Sequence, residues 1–104
     1  EKIKERENKK FFNQYFGKIV FSTKTNTFVS VCKFIIGQKG SSILAITPEG
    51  DHYGLDYNEF DLTKHPSKFD IHEIQEKTRA STKMNPEDRK KVMAKLMEYP
   101  PFNS

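Results

Sequence analysis

Tryptophan is absent from these 104 residues, and cysteine occurs once, at Cys32. A lone thiol excludes an internal disulfide and any cysteine-built zinc cage, and it agrees with a reducing compartment. No apolar run approaches the roughly 20 residues that carry a helix across a bilayer. Nor does a hydrophobic signal segment open the chain. The expectation is an intracellular protein, cytoplasmic or nuclear, with no membrane partner. Internal repeats and low-complexity runs are missing as well. The chain opens on Glu1 rather than Met, as a processed product or a domain cut from a longer protein would.

Hydrophobic residues make up only 35% of the chain and charged residues 31%, yet nine Phe and four Tyr remain. Large aromatic side chains therefore carry the burial that scarce Leu and Ala leave undone. The length supports one core and not two, so residues 1–104 read as a single domain. Net charge is +4, and it is unevenly spread. Residues 1–24 hold seven basic and three acidic side chains, and residues 77–104 hold the same numbers. Between them, residues 51–76 hold two basic against seven acidic. A polyanion would therefore meet the two ends and be repelled by Asp51, Asp56, Glu59, Asp61 and Asp70. A solvated surface in which the acidic middle lies against the basic ends would account for the same pattern.

Local patterning divides the chain into three zones. Residues 1–16 read as a helix whose Phe11, Phe12, Tyr15 and Phe16, spaced i, i+1, i+4, i+5, form one stripe that Gly17 ends. Four aromatics left in water would be an aggregation patch, so the stripe is expected on the core. Residues 18–62 are rich in Val, Ile, Phe, Thr and Tyr, with turn residues every eight to twelve positions. This pattern reads as four or five antiparallel strands. In the long strand over 27–36, simple alternation puts Phe28, Cys32, Phe34 and Ile36 on one face and Val29, Val31 and Ile35 on the other, both buried. The third zone, 70–99, is helical. Asp70 with Glu73 reads as a capping box for a helix over 71–79, with Phe69 stapling against Ile74. Asn85 and Pro86 then start a second helix bearing the stripe Val92, Met93, Leu96 and Met97, which Pro100-Pro101 ends. The expected fold is α+β: a small antiparallel barrel or strongly bent sheet, of SH3-like size, flanked by an N-terminal helix and two C-terminal helices.

Catalytic machinery finds little support. Cys32 lies in the most apolar strand, where a thiol is inert core. His52, His65 and His72 stand thirteen and seven residues apart, unlike an i, i+4 metal pair. His52 with Asp51, Asp56 and Glu59 is a conceivable divalent-cation cluster, although acidic hairpin loops are normally just solvated. No Walker-type lysine follows the glycine-rich turn, so nucleotide hydrolysis is not indicated. The expectation is a non-enzyme with no cofactor and no metal.

Residues 36–46, Ile36-Gly37-Gln38-Lys39-Gly40-Ser41-Ser42-Ile43-Leu44-Ala45-Ile46, follow I-G-x-x-G-x-x-I-x-x-I and resemble the K-homology family of RNA-binding domains. The resemblance implies two helices joined by a loop in which Gly37, Gln38, Lys39 and Gly40 clamp a nucleic-acid backbone. The β-branched alternation just before it implies a strand instead. Glu76-Lys77-Thr78-Arg79, with Pro86, Asp88 and Arg89, resembles the linker after the RNA 3′-end-binding domain of Argonaute proteins.

Function is therefore expected to be binding, of RNA or single-stranded DNA, with Lys9, Lys10, Lys18, Lys24, Lys39, Lys90, Lys91 and Lys95 as phosphate contacts. Tyr53 and Tyr57, on a half-exposed strand, would offer stacking faces to bases. The alternative is a protein–protein interaction domain, in which Tyr99-Pro100-Pro101-Phe102 or a surplus helix stripe makes the contact and the lysines only maintain solubility.

Overall fold

Gly17, the first glycine in the chain, adopts a φ of 75°, a left-handed turn that a side chain resists and a helix end exploits. Ahead of it, the computed structural model, which describes residues 2–99, forms helix α1 (Lys2–Tyr15). Five strands follow: β1 (Ile19–Ser22), β2 (Thr27–Gly37), β3 (Gly40–Ile46), β4 (His52–Leu55) and β5 (Phe60–Asp61). Helices α2 (Lys68–Arg79) and α3 (Pro86–Leu96) complete the described chain. Every neighbouring pair of strands is antiparallel, in the order β4-β3-β2-β1-β5. Between β3 and β4, Pro48 occupies the second position of a reverse turn closed by Gly50 N–H donating to Thr47 O at 2.9 Å.

A single turn of 3₁₀ helix, Tyr57–Glu59, carries the chain from β4 at one edge to β5 at the other. So short a connection requires the edges to curl toward each other. Lys24 Nζ, in the β1–β2 turn, accordingly donates to Gly54 O of β4 at 3.3 Å. The result is a five-stranded half-barrel with one helix before it and two after, the α+β architecture expected from the pattern.

Each face of the sheet has its own cover. On one, Val29, Val31, Ile43, Ala45 and Leu55 are buried beneath Phe11, Phe12 and Tyr15 of α1, with Tyr57 and Phe60 alongside. Phe11 stacks on both Tyr15 and Phe60, each at 4.6 Å between centroids. A 14-residue helix is marginal alone in water, so the burial of this stripe is what holds α1 in place. On the other face, Ile19, Cys32 and Ile46 meet Ile74 of α2, Met84, and Val92 and Leu96 of α3.

The expected alternation of β2 fails at its midpoint. A β-bulge between Val31 and Lys33 shifts the register against β3, and one extra residue exchanges the two faces beyond it. Phe28 and Cys32 therefore belong with the α2–α3 side. Phe34, paired with Ile43, points to the α1 side, where its ring lies 6.0 Å from that of Phe12. Both faces are buried only as far as Cys32, and Ile36 near the hairpin end is 61% exposed.

Three further differences concern ends of elements. The sequence 36–46 forms the β2–β3 hairpin, with Gly37 opposite Gly40, so the two helices implied by the K-homology likeness are replaced by strands. Helix α2 starts a turn earlier than expected because Ser67, not Asp70, caps it. The Ser67 hydroxyl accepts from Asp70 N–H at 3.2 Å, and the Asp70 carboxylate accepts from Ser67 N–H at 2.9 Å. Phe69 consequently lies inside the first turn rather than ahead of it, 75% exposed, and does not occupy the staple position. Helix α3 is capped by Asn85, whose side chain accepts from Glu87 N–H at 2.8 Å, and it stops at Leu96, leaving Met97 exposed. Beyond Tyr99, the proposed Pro100-Pro101-Phe102 contact lies outside the described residues.

Candidate functional site

The N-terminal and C-terminal basic segments meet where α1 ends. Gly17 N–H donates to Val31 O at 2.8 Å, and Val31 N–H returns a bond to Lys18 O at 3.2 Å, which fixes the turn to the sheet. Against its other side stands α3: a Cβ at position 17 would lie 2.1 Å from that of Lys95. Only glycine lets the two backbones approach so closely. Lys18 and Lys95 are thereby brought to one junction.

From that junction a cleft of about 430 Å³ runs between α1, β2 and α3, lined by Phe12, Asn13, Phe16, Phe34 and Lys91 among others. Lys9 precedes Asn13 by four residues, so it extends the cleft's α1 wall by one helical turn. A second cleft of about 450 Å³, with His52, Lys83 and Met84 in its wall, lies on the far side of an ion pair. That pair, Lys33 Nζ to Asp88 Oδ2 at 2.8 Å, lines both clefts, as does Cys32.

Burial sets the electrostatics of the titratable groups in this region. Burial pushes the Cys32 thiol up to about 12, with the Asp88 carboxylate adding to the effect. Its S–H donates to Leu44 O at 3.2 Å. A thiol so protonated is a poor nucleophile at neutral pH. Burial, and then the charge of Lys83, hold His52 below the usual imidazole range, so it is neutral at pH 7. Among the described residues no three His, Cys, Asp or Glu side chains gather as a metal site. Glu59 instead caps the 3₁₀ turn, accepting from Asp56 N–H at 2.9 Å.

The ten residues singled out from sequence fall into separate places. Lys9, Lys18, Lys91 and Lys95 are all exposed; Lys91 lines the α1–α3 cleft, Lys95 stands against Gly17, and Lys18 lines a different cavity beside β1. Lys10 is exposed on α1 next to Lys9, one turn ahead of Gln14, and Lys90 lies on the outer surface of α3 with Glu87 and Ala94. Lys24 reaches Gly54 on the β4 side, and Lys39 is exposed at the hairpin tip. Tyr53 is 40% exposed on β4, whereas Tyr57 has left the strand for the 3₁₀ turn and packs against the α1-side core. The two tyrosines therefore do not form a common stacking face.

Sequence reasoning passed over Asn8, which is fully buried. Its Nδ2 donates to Ser41 Oγ at 3.0 Å and Asp56 Oδ1 at 3.2 Å, and its Oδ1 accepts from Tyr57 N–H at 2.8 Å. One amide thus ties α1 to β3 and to the 3₁₀ turn. In an otherwise polar first half of α1, the only signal was an asparagine four residues before Phe12. Lys64, between β5 and α2, was also passed over because it sits in the acidic block, and His65 beside it was weighed only as a metal ligand. Comparison with protein-family models, with curated proteins and with solved structures finds no match.

Proposed function

We propose that the chain is a non-catalytic binding module for single-stranded nucleic acid, RNA or DNA, held mainly through phosphates along the seam between α1 and α3. The observation that supports this reading is the junction at Gly17, where α1 ends against Lys95 of α3 and Lys91, one turn earlier on that helix, lines a cleft with an aromatic wall. Lysine offers a compact charge without the fork that reads base edges, so binding is expected to be weak in sequence preference and strongly dependent on salt. Phe12 and Phe34 supply apolar surface for a base at the cleft.

The test is fluorescence anisotropy of labelled single strands over a series of salt concentrations. Log affinity should fall with log salt by about 0.7 for each phosphate neutralised. Replacing Lys91 and Lys95 by Glu should weaken all sequences alike. Absence of binding at low ionic strength, or no effect of the reversals, overturns the proposal.

A protein partner is the second reading, favoured by Ile36, 61% exposed near the end of β2. Ile36→Ser would then abolish partner capture and leave nucleic-acid affinity untouched.

A further inference from the structure

A third cavity, of about 460 Å³, opens where the end of α1, β1 and the β5–α2 connection meet. Its floor is apolar, from Ile19, Val20, Leu62 and Pro66, and its rim carries Lys18, Lys64 and His65. Among the described residues no carboxylate lines it. Neither Lys18 nor Lys64 forms an ion pair among the described residues. Lys64 instead holds its ammonium 4.2 Å from the centre of the Phe21 ring, which keeps the charge in place, and that charge also acts on the Asp61 carboxylate outside the cavity lining.

Tyr99 adds a directed donor. Its hydroxyl oxygen accepts from Ile19 N–H at 2.8 Å, which leaves the hydroxyl hydrogen to donate. Both Tyr99 and Ile19 line the cavity, and no acceptor for that hydrogen is found among the described residues. The rim is thus built from donors and cations, over a floor that favours an apolar body.

From this juxtaposition we infer that the cavity is a binding site for a phosphate monoester carried on a flat or aliphatic group, the chemistry of a nucleotide 5′-phosphate. Two lysines, a histidine and a tyrosine lining one cavity suit a dianion better than a monoanionic carboxylate, since each added ligand charge gains attraction at every cation. The volume is that of a small-ligand site. A free nucleotide and the 5′-phosphorylated end of a strand share this chemistry. The site does not depend on strand binding along the seam, because a mononucleotide would occupy it even if no strand followed the α1–α3 cleft.

The experiment is an amide chemical-shift titration of the whole chain with adenosine 5′-monophosphate, adenosine and inorganic phosphate. The monophosphate should perturb Lys18, Ile19, Val20, Leu62, Lys64 and His65. It should bind at least tenfold more tightly than adenosine or inorganic phosphate. Lys18→Glu/Lys64→Glu should lose that preference while retaining the wild-type circular dichroism spectrum. Equal binding of adenosine and its monophosphate, or monophosphate binding unchanged in the double variant, overturns the site. In a second arm, 5′-phosphorylated and 5′-hydroxyl oligonucleotides of one sequence are compared. Tighter binding of the phosphorylated strand identifies a strand end as the ligand, and equal strands alongside monophosphate binding identify a free nucleotide. Monophosphate binding with no strand binding at all would sink the seam proposal and support this one.

Discussion

Lys33 and Asp88 meet at 2.8 Å, Nζ to Oδ2, and hold the first turn of α3 against β2 just past its bulge. The hydrogen bond from Lys33 to Asp88, reinforced by the charge of the carboxylate, raises the lysine above its ordinary range. Asp88→Asn should return Lys33 toward that range and accelerate hydrogen exchange at the start of α3. Heteronuclear NMR reads both. An unchanged lysine titration would show that the pair does not form in solution.

Cys32 predicts a stability loss in alkali. The unfolded thiol ionises near the ordinary 9.0, while burial holds the folded one protonated to about 12. Between those values the native state binds the extra proton, so stability falls as pH rises. At about 1.4 kcal/mol per pH unit the loss reaches at most about 4 kcal/mol. Lys33 acts in the same direction: its contribution is complete below the unfolded lysine value and is lost as pH rises through the higher folded one. Urea melts of Cys32→Ala from pH 8 to 12 should therefore show a shallower alkaline decline, not a flat one. A decline identical to wild type would refute the assignment.

Gly17→Ala should destabilise by about 2 to 4 kcal/mol, combining an unfavourable φ with a steric clash against α3. Lys95→Ala should not rescue it, because the Cβ that stands 2.1 Å from the new methyl remains. Partial rescue by Lys95→Gly, seen in denaturant midpoints, would confirm that contact.

Phe28→Ala and Phe34→Ala test the bulge. Both rings are half-buried, so each change should cost about 1 to 3 kcal/mol, below the range for a fully buried Phe. Lying on opposite faces, they should add within ~0.5 kcal/mol in the double variant. A coupling well above that would mean that the two share a face, as simple alternation predicts.

Removing the Asn8 amide should be costly for its size. Asn8→Ala leaves the Tyr57 N–H without its acceptor and Asp56 without one of its donors, for about 2 to 3 kcal/mol by thermal or urea unfolding. Burial pushes the Asp56 carboxyl up, but hydrogen bonds from Lys4 and Asn8, with the charges of Lys4 and Lys24, outweigh it and hold the group below its usual value. That contribution is present above the unfolded carboxylate range and disappears as pH falls through the lower folded value. The variant should accordingly lose part of the wild type's acid sensitivity.

Much of this molecule is readable locally. The aromatic stripe of α1, the Asn85-Pro86 start of α3 and the strand-rich middle each follow from spacing and from residues whose backbone preferences act over four or five positions. Those same short-range rules were enough for the class of fold and its order of elements. What they could not supply was anything set by a partner distant in sequence. The bulge at Val31 and Lys33 is a property of β2 against β3, and it sends Phe34 to the opposite face from Phe28. The Ser67 cap overrode a similar box three residues later because the two compete for one helix start. Charge counted along the chain located two basic ends, but only folding decided that Gly17 would carry Lys18 up to Lys95, and that Lys64 and His65, from an acidic stretch, would share a cavity rim with Lys18. Helices and turns answer to neighbours along the chain, whereas faces, junctions and cavities are fixed by which surfaces the bent sheet brings together.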